Sequence, residues 1–167
     1  MIQPDFIAEN STYFENLMRH CFTYELSRLL LLGDTPLMLS VSRSEIDDAG
    51  VDLVMSVNAV TRSIQMKALA RERTENGYAI AESLLRAAGG CVLWVCYSKE
   101  TLKPTHFHLF DCGTNGLSEE AIEDLPQATK RKKTGKVARK GYRQLRIKNA
   151  QHQDLDLPRL ANRLFKL

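Results

Sequence analysis

Asp52, Gln65 and Lys67 are the residues whose types and spacing promise chemistry. Asp52 stands near the head of the apolar run Val51–Val57, and Gln65 and Lys67 sit two apart in the run Ser63–Leu69. In a β-strand, residues i and i+2 share a face. Gln65 and Lys67 therefore point the same way, while Ile64, Met66 and Ala68 are expected in the core. Asp52, at the start of the neighbouring strand, comes beside them across a hairpin. An acid, an amide oxygen and an ammonium are thus gathered at one edge of a sheet. A lysine enclosed by apolar residues in a short core strand runs against side-chain entropy and desolvation, and that is the reason to read function into it. Phosphodiester hydrolysis accounts for the set, because the reaction builds negative charge in its transition state and needs an activated water. A carboxylate can hold Mg2+ (or Mn2+), which prefers oxygen ligands. The ion acidifies a bound water and shields the phosphate, and a nearby lysine stabilises charge or orients the water.

The elements that must position these residues are legible from periodicity. Residues 5–32 carry Phe6, Phe14, Leu17, Met18, Cys21, Phe22, Leu26, Leu29 and Leu30 at steps of three and four, which predicts helix, in two pieces if Asn10 or Ser11 caps a start. Gly33-Asp34-Thr35-Pro36 ends it. Leu37–Val41, Val51–Val57 and Ser63–Leu69 read as three strands with short links, an antiparallel meander. Tyr78–Ala88 reads as an amphipathic helix stopped by Gly89-Gly90. Cys91–Tyr97 (CVLWVCY) is almost wholly apolar, the pattern of a strand buried on both faces. Thr105–Asp111 alternates as its partner, a short helix starts at Ser118, Tyr142–Ile147 reads as a last strand, and Leu157–Leu167 as a closing helix with Pro158 in its first turn.

In this order of elements, Asp52 followed after twelve residues by Gln65-Met66-Lys67 resembles the PD-(D/E)XK superfamily of restriction-endonuclease-like proteins. It is most similar to the branch in which Gln replaces the second acid, as in Mrr-like restriction enzymes. The resemblance covers about residues 15–112. It implies an α/β fold with a central mixed β-sheet flanked by helices, and a metal-dependent DNA endonuclease of restriction, phage defence or repair. It further implies that Asp52 binds the metal, Gln65 offers its carbonyl oxygen, Lys67 acts at the scissile phosphate, and Glu25 on the first helix supports the metal or its water. Glu15 on the same helix, or Glu45, Asp47 or Asp48 in the loop, are alternatives for that third oxygen. The family's proline before the Asp is replaced by Val51, and the neutral Gln65 leaves the site one charge short. The same fold with a weakened site, binding nucleic acid or a protein without cutting, is the competing expectation.

Charge supports a polyanionic partner. The net charge of +3 conceals an asymmetry: residues 1–127 carry 10 basic and 18 acidic side chains, whereas residues 128–148 carry ten basic side chains and no acid. Such a block attracts nucleic acid by counterion release. Lys130, Arg131, Lys132, Lys133, Lys136, Arg139, Lys140, Arg143 and Arg146 are the expected phosphate contacts, on an arm that Gly135 and Gly141 make flexible until it binds. DNA is the expected partner, and cutting both strands of a duplex implies a homodimer. At 167 residues, the chain suits one nuclease-like domain with the basic segment 128–148 and the helix 157–167 appended. The longest apolar cluster, Leu29–Leu32, is far short of a membrane span, and the N-terminus has no signal-peptide pattern, so a cytoplasmic location is the default. The four cysteines fall at unrelated spacings without a CxxC. His106, His108 and Cys112 could be imagined as metal ligands, but the preferred reading is an alternating strand with a solvated histidine face, which places His106 and His108 at i and i+2 without a ligand role.

Overall fold

A computed structural model describes residues 4–43, 50–70, 77–132 and 135–167. Helix α1 (Pro4–Glu9) leads into α2 (Ser11–Leu31), whose buried residues Phe14, Met18, Phe22, Leu26 and Leu30 recur every fourth position. That spacing makes one apolar stripe, and the stripe lies against a six-stranded sheet. The sheet runs β1 (Ser40–Ser42), β2 (Leu53–Val57), β3 (Val60–Leu69), β5 (Gly90–Tyr97), β6 (Pro104–Asp111) and β9 (His152–Leu155) in spatial order. All neighbours are antiparallel except β3 and β5, so the sheet is mixed. The parallel pair requires a crossover, and the chain makes it through β4 (Tyr78–Ala81) and α3 (Glu82–Arg86). This is the expected α/β class with a central mixed sheet flanked by helices.

Two cores share the sheet. Cys91, Leu93, Val95 and Tyr97 of β5 point into the core under α2 and α5 (Leu157–Phe165), while Val92, Trp94 and Cys96 point into the core on the other face. Every residue of β5 is buried, which is why its sequence is apolar without alternation. The second face is covered by α3, α4 (Glu119–Glu123) and a three-stranded antiparallel sheet in the order β4-β8-β7, with β7 spanning Gln127–Lys132 and β8 Gly135–Leu145. A 3-10 turn at Ile147–Asn149 then leads into β9.

Several expected elements are corrected. The helix over 78–88 is a strand followed by a short helix, because Tyr78–Ala81 finds a ladder in Tyr142–Leu145 that propensity cannot foresee. The strand over 37–41 is displaced to Ser40–Ser42; Leu37 is held by the helix end instead, donating its N–H to Leu30 O at 2.9 Å. The strand β9 was not anticipated, and the expected flexible basic arm is a β-hairpin, β7–β8. Asn10 does not cap α2 with its side chain, which donates to Phe6 O at 2.8 Å.

One buried polar knot ties the layers together. Arg62, 3% exposed, forms a two-pronged ion pair with Asp111 at 3.1 and 3.2 Å and donates to the carbonyls of Leu164 and Arg163 at 2.6 and 3.3 Å. A cation on the last carbonyls of α5 also complements its helix dipole. Among the described residues, no helix is long and apolar enough to cross a membrane.

Candidate functional site

β2 and β3 pair from Val57↔Val60 to Leu53↔Ile64, and there β2 ends. Beyond Ile64, the β2-facing edge of β3 would be open. Asp52, one residue before β2, closes it: its backbone N–H donates to Ile64 O at 2.9 Å, and its Oδ2 accepts the Met66 N–H at 2.7 Å. The carboxylate thus takes the place of the next ladder bond, and this fixes Asp52 beside the Gln65–Lys67 stretch. Gln65 and Lys67 share a face of β3 as the two-residue period requires, and they pair with Val92 and Trp94 of β5. The neighbouring Ile64 and Met66 point to the α2 core, as expected.

Gln65 is 8% exposed, and its Oε1 has no hydrogen-bond partner among the described residues. A buried amide oxygen left unpaired costs about 1–3 kcal/mol, a cost that a water or a cation at this oxygen would relieve. Gly50 stands against this amide in a left-handed conformation, φ +65, and a Cβ there would also press on Ala81 Cβ at 3.0 Å. Any side chain at position 50 would be strained and would crowd the cradle around Gln65.

Helix α2 supplies the third wall. Lys67 Nζ lies 3.5 Å from Glu15 Oε1, and Arg19 Nη2 lies 3.8 Å from Asp52 Oδ1. Glu15 and Arg19 are one turn apart and follow Phe14 and Met18 on one flank of the buried stripe. All four side chains are partly enclosed, between 16% and 34% exposed. Arg19 also donates to Asn16 Oδ1 at 2.8 Å, while its Nε is buried without a partner among the described residues. Two half-buried ion pairs, Glu15–Lys67 and Arg19–Asp52, thus stand at the edge of the sheet, with Gln65 two residues from Lys67 on β3.

Glu25 joins neither pair, which corrects the expectation for it. It lies ten residues further along α2, about 15 Å at 1.5 Å per residue, and on the opposite flank, since it precedes Leu26 rather than following it. It is paired with Arg28 at 3.8 Å and lines a cavity with Lys103, Pro104 and Leu157. Glu15, the alternative on the same helix, is the acid found beside Lys67. Arg19 was missed by sequence reasoning, although its four-residue spacing from Glu15 would have found it once Glu15 was chosen. Glu45, Asp47 and Asp48 lie outside the described residues.

Oxygen atoms of the type a hard divalent cation takes are offered by the Asp52 carboxylate, which faces Arg19, the Gln65 amide, and the Glu15 carboxylate, which faces Lys67.

The basic segment reaches this site through the second sheet. Tyr142 of β8 pairs with Ala81 of β4, the residue that packs on Gly50 beside Gln65. From there the β7–β8 hairpin presents Lys130, Lys136, Arg139 and Lys140 as exposed side chains. One residue of β7, Ala128, opposes four of β8, 139–142, between the Gln127↔Arg143 and Thr129↔Ala138 pairs. The excess forms a bulge at Gly141, φ 74, closed by Gln127 Nε2 donating to the carbonyls of Arg139 and Tyr142. The Arg139 guanidinium stacks on the Tyr142 ring, 3.5 Å from its centroid. Arg143 departs from the expected role: it is bonded to Glu82 at 2.8 Å and to Leu125 O at 3.2 Å, so it fastens α3 to the second sheet instead of facing solvent. Arg146 is half-buried at the head of the 3-10 turn, its N–H bonded to Asn149 Oδ1 at 2.9 Å. Arg131 and Lys132 belong to β7 by their backbone, and Lys133 lies outside the described residues.

The expected solvated histidine face is also corrected: His108 is 2% exposed. Comparison with protein-family models, with curated proteins and with solved structures finds no match for this chain.

Proposed function

We propose that the chain is a Mg2+- (or Mn2+-) dependent DNA endonuclease with a PD-(D/E)XK, restriction-endonuclease-like centre. One observation carries the reading: the Asp52 carboxylate, the unpaired Gln65 Oε1 and the Lys67 ammonium are presented at one sheet edge, with Glu15 against the lysine. A divalent cation held by these oxygens supplies Lewis acidity toward a phosphodiester and acidifies water. Lys67 offers positive charge to the phosphoryl oxygens as negative charge accumulates on them, and Glu15 keeps its ammonium aimed at the site. Lys130, Lys136, Arg139 and Lys140 hold the nucleic-acid backbone without reading sequence. One centre cuts one strand, so a homodimer is the arrangement that would cut both strands of a duplex together.

A second reading has its own observation. Both oxygens of Asp52 are engaged, one by Met66 N–H and one near Arg19. If Arg19 stands permanently where a cation would, the chain binds nucleic acid or a protein partner on a nuclease-like frame and does not cut.

The test is incubation of plasmid, branched and single-stranded DNA with Mg2+ or Mn2+, wild type beside Lys67→Ala. Lys67 is partly exposed, so the variant should fold. Nicking lost in the variant is the expected result. Cutting that survives in the variant would remove Lys67 from the centre. Absence of cutting together with salt-sensitive binding would favour the second reading.

A further inference from the structure

On the other side of β5 from α2, a group of side chains has no part in the Asp52 site. Cys96 of β5 and His106 of β6 are direct cross-strand partners, and His108 lies two residues further along the same face. The ligand atoms of the three all lie within 4.8 Å of one another. We propose that Cys96, His106 and His108 form a binding site for a borderline transition-metal ion, zinc by preference. A thiolate and two imidazoles match zinc and exclude magnesium, which takes oxygen ligands.

The surroundings support coordination rather than coincidence. The Thr105 hydroxyl donates to Cys96 O at 3.1 Å and also contacts His106 Nδ1 at 3.0 Å. With its single proton committed to the carbonyl, Thr105 Oγ1 accepts from Nδ1–H of His106. That bond favours the tautomer with its lone pair on Nε2, the usual arrangement in which an outer hydrogen bond orients a metal-binding histidine. His108 Nδ1 accepts from Asp154 N–H at 3.4 Å, a long and therefore weak bond. The ladder is irregular on both sides: the β5–β6 register shifts at Cys96, and the β6–β9 register shifts opposite His108, where Asp154 takes a left-handed φ of 51. Bulges of this kind commonly re-aim side chains beside functional sites.

Tetrahedral zinc, with bonds of about 2.0–2.3 Å, places its ligand atoms roughly 3.3–3.7 Å apart. Side-chain rotations closing the group by about 1 Å are enough. Uptake releases the Cys96 thiol proton to solvent and forms the metal–sulfur bond, with no change of oxidation state. The fourth position is taken by water or another donor. Cys96 and His108 are buried, so the ion would pin the end of the β5–β6 ladder and stabilise the fold.

The test uses the full chain, stripped of metal by chelator and titrated with Co2+, then with Zn2+. The expected result is one equivalent of Co2+ with a near-ultraviolet thiolate charge-transfer band, displaced by Zn2+, and a melting temperature that rises with Zn2+. Cys96→Ser should abolish the band. His106→Ala, a half-buried change that should leave the fold intact, should weaken affinity at least 100-fold. Asp52→Asn should change neither. A band that persists in Cys96→Ser, or His106→Ala binding as wild type does, would overturn the site, as would Co2+ uptake without a thiolate band. Each outcome is independent of whether the chain cuts DNA.

Discussion

Asp52 has two separable duties, and two substitutions tell them apart. Its Oδ2 accepts the Met66 N–H at 2.7 Å on a strand edge that β2 no longer covers, and its charge faces Arg19 at 3.8 Å. Asp52→Ala strands the N–H of a residue that is 1% exposed. An unmade bond to a buried donor costs about 1–3 kcal/mol; the Arg19 contact adds little, being long and partly solvated. Asp52→Asn keeps an oxygen for Met66 and removes only the charge, so it should cost about 1 kcal/mol or less. Cleavage should not separate the two variants. Both variants lose the charged oxygen, and loss of one preorganised electrostatic group lowers the rate by about 100- to 1,000-fold. Urea unfolding reads the first duty through the midpoint, and divalent-dependent plasmid nicking reads the second. Asp52→Asn should therefore be nearly as stable as wild type and nearly inactive. An asparagine variant that nicks at the wild-type rate would refute the metal role. One that unfolds as readily as the alanine variant would refute the account of the strand edge.

Asp111→Ala leaves Arg62 charged and 3% exposed, so unfolding should become easier by about 3–5 kcal/mol, whereas Arg62→Met, which removes the buried charge itself, should cost less. Two pH effects follow from opposite shifts. The Arg86 guanidinium bonded to Glu119 holds that carboxyl below its ordinary range, so this contribution is present above the unfolded carboxylate pKa and is lost as pH falls through the lowered value. Glu119→Gln should flatten the acid limb of a stability–pH curve. Burial pushes Cys91 upward and Cys112 up to about 12 from 9.0, so their contribution is complete below the ordinary thiol range and lost as pH climbs toward the folded values; Cys112→Ala should reduce this alkaline loss in thermal melts across that range. In the hairpin, Lys136→Ala and Lys140→Ala should each lower the salt slope of duplex binding by about 0.9 without unfolding the protein, since both are exposed. Arg143→Ala, which breaks the Glu82 bond, should instead lower the melting temperature.

The two-residue period of Ile64–Lys67 was enough, without coordinates, to place Gln65 and Lys67 on one face and Ile64 and Met66 on the other. The wholly apolar run Cys91–Tyr97 likewise announced a strand buried on both sides, and the four-residue stripe of α2 announced its buried face. Each of these is a local signal, because side-chain direction follows from backbone geometry alone. The choice between Glu15 and Glu25 was not local. Both lie on α2, and only its docking against β3 brings the flank carrying Glu15 and Arg19 to Asp52. Tyr78–Ala81 became a strand only because β8 offered it a ladder, and the flexible arm became a hairpin for the same reason. The meeting of Cys96 with His106 and His108 depends on the β5–β6 register, which no spacing of cysteines in the chain records. Composition and periodicity determined which faces must be buried; strand register and helix docking, which join residues far apart in the chain, decided which polar groups meet.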